Sequence, residues 1–234
     1  MSLRRPLFRA IGLLALVLFL GVGVFAYLLK REPAFYTAAA KQGDFDTRDK
    51  AYGLLTRVQD LKNDIRTMSK WGETFTAEDL NCFFSEMMTE KGSFTGLLPS
   101  GFHSPRVAIE GDRLKIGFRY GRGFWSAVVW IELRIWLVAD ETNLMAVEVC
   151  DLRAGKLGIG TQTILDAIGD AARGSNIDVA WYRHNGNAVG LFRFFPDQPR
   201  PASQVLTLDV LDNKIVIAGQ SMSAEPIAAA LVKP

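Results

Sequence analysis

Residues that could perform acid–base, nucleophilic or metal chemistry are few in this chain and lie far apart. It contains only two histidines, His103 and His184, and two cysteines, Cys82 and Cys150. Neither histidine has an acid or a cysteine at metal-ligand spacing, and there is no Gly-x-Ser-x-Gly nucleophile elbow. No motif supports a Cys–His pair that would activate a thiol. The sequence therefore predicts no enzyme, no metal site and no cofactor.

Three further segments carry residue types that bind anions or transfer protons. The glycine-rich segment 155–160 lacks the signatures of phosphate and dinucleotide loops, so its glycines are expected to let a helix pack close to the sheet. The basic and aromatic segment 119–125 is interpreted as a hairpin loop with snorkelling arginines, and contact with lipid headgroups or nucleic acid is the alternative. Asp166 and Asp170 lie one helical turn apart, opposite an apolar stripe, and are expected to be solvated.

An uncharged, apolar run over residues 10–29 stands in front of all these segments. Twenty helical residues rise about 30 Å, the thickness of the hydrocarbon core of a bilayer. The run predicts a transmembrane anchor, which Lys30 and Arg31 close as a stop-transfer flank would. A signal peptide cleaved after residues 24–26 is the alternative, but the apolar run continues beyond that site to Leu29.

Charge on either side of this run predicts its orientation. Residues 1–9 contain three arginines and no acid, which favours a short cytoplasmic N-terminus. The C-terminal part of the chain would then be extracytoplasmic, attached to the cytoplasmic membrane by a single span.

The whole chain has 27 basic and 25 acidic residues, and 49% of its 234 residues are hydrophobic. This composition excludes intrinsic disorder. Because residues 1–29 contribute three arginines, the remainder has 24 basic and 25 acidic residues. A nearly neutral domain has little electrostatic attraction for nucleic acid, so no nucleic-acid partner is expected.

After a linker over 30–43, residues 44–234 are predicted to form one extracytoplasmic α+β domain. Apolar residues recur every three or four positions over 44–71, which predicts a long amphipathic helix. Two shorter helices are predicted over 77–89 and 161–173, the first with Thr76 as N-cap and Asp79 closing a capping box. Period-two patterns separated by turn residues predict three hairpins, at 106–110 with 114–120, 177–183 with 188–195, and 205–211 with 214–218.

The segment 124–138 is predicted to be one strand of about 50 Å, because every odd position is apolar. Its other face is mixed and carries Phe124, Trp130 and Trp136. A strand of this length suits a curved, mainly antiparallel sheet packed on two or three helices. If the apolar face packs on the helices, the aromatic face needs another partner, so these three residues are the candidate ligand-facing residues. Core or oligomer contact is the alternative.

The two cysteines are too few for a disulfide framework. Cys82 lies in a predicted helix, and we expect both thiols to be small, unbridged, mostly apolar groups. A single bridge between Cys82 and Cys150 is the alternative.

The order of elements resembles that of an uncharacterised group of single-span bacterial envelope proteins, and more distantly the YpmS-type membrane-anchored family. The matching segments are Phe-Thr-Ala-Glu-Asp-Leu-Asn over 75–81 and Ala-Gly-Lys-Leu-Gly-Ile-Gly over 154–160. The resemblance implies a sheet curled around a helix, as in tubular lipid-binding modules. It implies no catalytic residues.

These observations predict a membrane-anchored, non-enzymatic envelope protein that binds lipid or another apolar ligand in a curved sheet. The alternative is a scaffold or assembly subunit of an envelope complex that has no ligand and docks a protein partner through the helix at 44–71.

Overall fold

A computed structural model of the protein describes residues 4–40, 46–89, 93–94, 98–175, 177–194 and 202–222. The predicted boundary between linker and domain, at residues 43 and 44, lies outside these ranges. The α-helices of the described residues are α1 (Arg4–Lys30), α2 (Ala34–Ala40), α3 (Thr47–Thr67), α4 (Ala77–Met87) and α5 (Gln162–Gly174).

The strands of the described residues are β1 (Lys70–Thr76), β2 (Phe102–Glu110), β3 (Arg113–Tyr120), β4 (Ala127–Leu137), β5 (Leu144–Ala154), β6 (Leu157–Gly158), β7 (Ile177–His184), β8 (Asn187–Phe194), β9 (Ser203–Leu211) and β10 (Lys214–Ser221). They form two sheets rather than the single sheet expected. The large sheet has the order β2-β3-β4-β5-β8-β7, with β6 beside β5, and the small sheet has the order β1-β10-β9. Every pairing is antiparallel. The predicted α+β class with a mainly antiparallel sheet is confirmed.

The hydrophobic core lies on one face of the large sheet. Near β2 and β3 this face contacts Leu80 and Phe84 of α4 and also Val210 of β9, a strand of the small sheet. Towards β5 and β8 the same face contacts Leu165 and Ala172 of α5. The small sheet and the two helices therefore cover different parts of one apolar surface.

The predicted hairpins are present, with ends that differ by a few residues. A two-residue turn joins β7 to β8 at Asn185 and Gly186, whose φ angles are +51° and +86°. Asparagine and glycine tolerate this left-handed region better than other residues, which is why the dipeptide signals a hairpin.

The prediction of a single strand over 124–138 is wrong. Gly123–Trp125 form a 3-10 turn, and β4 starts only at Ala127. Gly121 and Gly123 bend the chain in front of β4, since both have a positive φ. Because β4 has eleven residues, it spans about 36 Å rather than about 50 Å.

The expectation of a wholly buried face on this strand is also wrong. Ile131, Leu133 and Ile135 pack against core residues but remain partly accessible. The residue of β4 that is buried, Val128, lies on the opposite face. A β-bulge between Glu132 and Leu133 further interrupts the register with β5.

The long amphipathic helix ends earlier than the predicted residue 71. α3 stops at Thr67, and Trp71 lies in β1, a strand that was not predicted. β1 pairs with β10, about 140 residues later in the chain, and the Trp71 indole N–H donates to the Ser221 hydroxyl at 3.0 Å. The local sequence contains too little alternation to reveal a strand whose partner is this distant.

Residues 75–81 contain the start of α4, and this segment also forms hydrogen bonds with the large sheet. The Thr76 hydroxyl accepts from the Asp79 N–H at 3.1 Å, and the Asp79 carboxylate accepts from the Thr76 N–H at 3.2 Å, so the predicted capping box is confirmed. Asn81, only 4% exposed, pairs both of its amide atoms with the backbone of Val107 in β2, at 2.8 and 2.9 Å. The segment therefore starts α4 and fixes it to an edge strand.

We expect Asn81→Leu to lower the free energy of unfolding by about 3 kcal/mol, because it leaves the buried N–H and carbonyl of Val107 without partners. The control is Asn63→Leu, at an exposed position of α3. Chemical unfolding of the full chain in detergent micelles measures both. Equal losses of stability in the two variants would contradict this role of Asn81.

Asp79 gives the fold a dependence on pH. Partial burial raises the pKa of this carboxyl, but hydrogen bonds from Arg57 and Thr76 outweigh it and hold the pKa below its usual range. The ionised Asp79 carboxylate therefore stabilises the fold fully at pH values above its unfolded-state pKa of about 3.9. This stabilisation is lost as the pH falls through the lower pKa of the folded state. We expect Asp79→Asn to reduce the fall in the free energy of unfolding at acid pH, measured over a series of pH values. Asp60→Asn, at an exposed site, should leave this pH dependence unchanged.

Candidate functional site

Among the described residues, α1 is the one helix that is long and apolar enough to cross a bilayer. Its segment Leu13–Lys30 has a mean hydropathy of 2.4, and none of it is buried against the rest of the chain. These properties are compatible with a single-span anchor near the N-terminus.

The end of α1 is attached to the large sheet through backbone groups. The Leu28 carbonyl accepts a hydrogen bond from the Lys156 N–H at 3.0 Å. Gly155, just before it, has a φ of +58°, and a Cβ at this position would lie 2.5 Å from the Leu28 oxygen. The absence of a side chain therefore permits the contact. The glycine does allow a helix to pack closely, but the helix is α1 rather than the predicted following helix, α5.

The predicted linker over 30–43 is in part a structured element. α2 lies on the large sheet above Gly117, where a Cβ would come within 2.8 Å of the Tyr36 ring and 3.2 Å of the Phe35 ring. Phe35 also meets Trp130 edge-on, with 5.8 Å between ring centroids. The small residue in β3 thus makes room for two aromatic rings.

Polar contacts fix the same segment. Tyr36 is only 3% exposed, and its hydroxyl donates to the Ser104 carbonyl at 2.7 Å. Burial raises the pKa of this phenol, although the nearby Arg119 and Arg106 guanidinium groups oppose the rise. Arg119 also pairs with Glu32 at 2.5 Å, two residues after α1. The chain between the apolar helix and the sheet is therefore held by aromatic packing and by an ion pair.

The three predicted ligand-facing residues do not share one surface. Phe124 lies in the 3-10 turn rather than on β4, and 72% of it is exposed. Trp130 is half-buried under Phe35 and donates its indole N–H to the Gly155 carbonyl at 2.9 Å. Trp136 is half-buried near the opposite end of β4, with the Arg134 guanidinium 5.8 Å from its ring.

On β3 and β4, the face that carries Trp130 and Trp136 is otherwise largely charged. Lys115 of β3 pairs with Glu110 at 2.5 Å and approaches Glu132 of β4 at 3.9 Å. Arg134 of β4 pairs with Asp112 at 2.9 Å. Further along the same face, Ala146 and Val189 are buried. Alternating charges are stable in water, so the part of the face formed by β3 and β4 offers no continuous apolar surface to a ligand.

A cavity of about 550 Å³ lies at the end of the sheet nearest α1, between the chain that follows α4, the start of β2 and the loop that follows β3. Its apolar wall comes from Met88, Leu98 and Phe102, and Arg122 lies at its polar side. The full set of lining residues is Met88, Thr89, Leu98, Gly101, Phe102, His103, Gly121 and Arg122.

Aromatic rings and one histidine shape this cavity. Phe102 packs on Tyr120 at 4.9 Å and on Phe118 at 6.3 Å between centroids. His103 lies half-buried in β2. Its Nε2 donates to the Gly121 carbonyl at 2.9 Å, since a carbonyl can only accept, and its Nδ1 lies 3.0 Å from the Ser104 hydroxyl. His103 thus ties β2 to the loop that follows β3.

The residues with nucleophilic or metal-binding potential are separate from one another. Cys82 and Cys150 are unbridged, and burial raises the pKa of both thiols, which disfavours the reactive thiolate. The Arg113 guanidinium donates to the Cys150 sulfur and opposes that rise in pKa. His184 is exposed at the end of β7. In the part of the chain that is described, no three His, Cys, Asp or Glu residues come together as a metal site.

The helix predicted over 44–71, which could dock a protein partner, packs one of its sides within the chain as α3. Ala51 and Leu54 are buried, and Ala51 packs with Cys82 and Met87 of α4. Tyr52 remains half-exposed on the outer side of the helix.

Comparison with protein-family profiles, curated proteins and solved structures finds no match for this chain. The resemblance over 75–81 and 154–160 therefore stays a prediction. The capping box and the close approach at Gly155 give both segments a physical role within this fold.

The amino-acid sequence alone did not predict the cavity. Met88 follows α4, Leu98 lies in a connection and Phe102 starts β2, so no periodic pattern joins them. The one available signal was the segment 119–125, whose aromatic and basic residues lie next to the cavity.

We expect Gly155→Ala to loosen the attachment of α1. Alanine at this φ costs about 1–2 kcal/mol, and its Cβ would also displace the end of the helix. Gly158→Ala is the matched control, because a Cβ there meets nothing within 4 Å. Tryptic cleavage after Lys30 and Arg31, in the micelle-bound full chain, should be faster in Gly155→Ala alone. Equal cleavage rates would contradict the attachment.

Proposed function

We propose that this chain is a membrane-anchored, non-enzymatic protein of the bacterial cell envelope that binds an apolar ligand with a polar end, such as a lipid. In this proposal α1 spans the cytoplasmic membrane with its N-terminus inside, and the two-sheet domain is extracytoplasmic. The observation that carries the proposal is the cavity beside α4, which lies at the end of the domain where α1 is attached.

The size and lining of the cavity support this ligand class. Its volume of about 550 Å³ falls within the range of about 300–1,000 Å³ common for small-molecule sites. Met88, Leu98 and Phe102 can contact an acyl chain, and the exposed guanidinium of Arg122 can pair with a phosphate or carboxylate.

The proposed position of the ligand differs from the one predicted from the sequence, which was the aromatic face of β4. On β3 and β4, the face carrying Trp130 and Trp136 is covered by α2 at one end and charged beyond it. The proposal therefore assigns the ligand to the opposite, core-facing side of the large sheet, where Phe102, Phe118 and Tyr120 form an aromatic cluster. The curvature of the sheet stays a prediction.

A scaffold without a ligand remains the second candidate. The polar outer side of α3, with the half-exposed Tyr52, is the surface that a protein partner could contact. One side of α3 packs against α4 inside the domain, which leaves less of this helix for a partner and favours the lipid-binding proposal.

Mass spectrometry of bound lipid tests the proposal. Residues 31–234 are exported in a bacterial host and purified without detergent, and an organic extract is analysed. We expect a lipid in a reproducible, near-stoichiometric amount. Failure to recover lipid from the folded domain would contradict the proposal and favour the scaffold.

The site is tested by Leu98→Glu, which places a carboxylate in the apolar wall of the cavity. We expect at least a tenfold loss of recovered lipid, because the buried charge opposes an acyl chain. Leu206→Glu is the matched control, since Leu206 is largely exposed on β9. Retention of lipid by Leu98→Glu, or an equal loss in both variants, would contradict this location of the site.

A further inference from the structure

Two large aromatic side chains stand almost fully exposed in the 3-10 turn that precedes β4. Phe124 is 72% exposed and Trp125 is 85% exposed, and the two rings meet edge-on at 5.4 Å. Neighbouring exposed aromatic residues on a rigid turn are unfavourable in water and typical of a contact surface.

The position of this turn relative to α1 identifies its partner. The Lys30 ammonium lies 3.1 Å from the centroid of the Phe124 ring, and Lys30 is the last residue of α1. Tyr27, one turn earlier on the helix, is also exposed. The turn therefore lies level with the end of the apolar helix, where aromatic side chains concentrate at a membrane–water interface.

Charge around the turn is complementary to a lipid surface. Four exposed basic residues lie close to the turn. Lys30 and Arg31 stand at and just after the end of α1, Arg122 directly precedes the turn, and Lys156 lies on the segment attached to α1. The nearby acid Glu32 is paired with Arg119. Basic groups beside exposed aromatic rings suit lipid phosphates next to the acyl region.

We infer that the turn Gly123–Trp125 inserts Phe124 and Trp125 into the headgroup–acyl boundary of the same bilayer that α1 spans. This inference rests on the membrane anchoring in the proposed function. The contact of Lys156 with the Leu28 carbonyl and the ion pair of Arg119 with Glu32 hold the turn at this level.

Insertion of the turn also orients the cavity. Gly121 and Arg122, which line the cavity, directly precede the turn. The cavity is therefore brought next to the bilayer surface, where a lipid can pass between membrane and protein over a short distance.

Quenching of tryptophan fluorescence tests the insertion. The full chain is incorporated into nanodiscs made of phosphatidylcholine brominated on its acyl chains, and its emission is compared with that in unbrominated nanodiscs. We expect Trp125→Phe to reduce the difference in emission between unbrominated and brominated nanodiscs by at least half. The exposure of Trp125 makes this substitution compatible with the fold, which near-UV circular dichroism checks.

Trp136→Phe is the matched control. Trp136 lies nine residues along β4 from Ala127, about 30 Å from the turn, and should be beyond the reach of the bromines. We expect this variant to keep the quenched intensity of the unsubstituted chain.

The outcomes separate this inference from the proposed function. A chain that inserts into nanodiscs but shows the same quenching with and without Trp125 overturns the inference alone, and would assign the turn to a protein partner or a second copy. A chain that is not retained by nanodiscs overturns the inference together with the anchoring.

Discussion

The arrangement of this protein depends on the close approach of one helix end to one glycine. The last carbonyls of a helix have no partner within the helix, and at the end of α1 the Leu28 carbonyl is satisfied by the N–H of Lys156 on the large sheet. This bond forms only because Gly155 has no side chain and adopts a left-handed conformation. A helix that would otherwise connect to the domain through a linker is thereby in direct contact with it.

Two buried asparagines perform a comparable task inside the domain. Asn81 joins α4 to β2, and Asn143, 2% exposed, donates to the Ser203 carbonyl and accepts from the Val205 N–H, both at 2.9 Å. Each satisfies backbone groups that a strand would otherwise leave unpaired. Together they lock the relative positions of α4 and the two sheets, and the residues that directly follow α4 form one side of the cavity.

Local signals carried the predictions that succeeded. The capping box from Thr76 to Asp79, the Asn185–Gly186 turn and the uncharged run of α1 depend on neighbouring residues and are visible in the sequence. The predictions that failed did so for two different reasons. β1 depends on β10, a distant partner, whereas the strand predicted over 124–138 is broken by a local turn whose glycines have positive φ angles. The cavity combines the start of β2 with residues of several connections, so no spacing rule describes it.

If α1 spans the bilayer as proposed, its direct attachment to the large sheet couples the tilt of this helix to the orientation of the domain. Transmembrane helices tilt by about 20° on average and adjust this angle when the bilayer becomes thicker or thinner. Because α2 and Arg119 brace the junction, such a tilt would rotate the whole outer domain instead of bending a flexible tether. In the proposed arrangement, a change in bilayer thickness would therefore change the orientation of the domain.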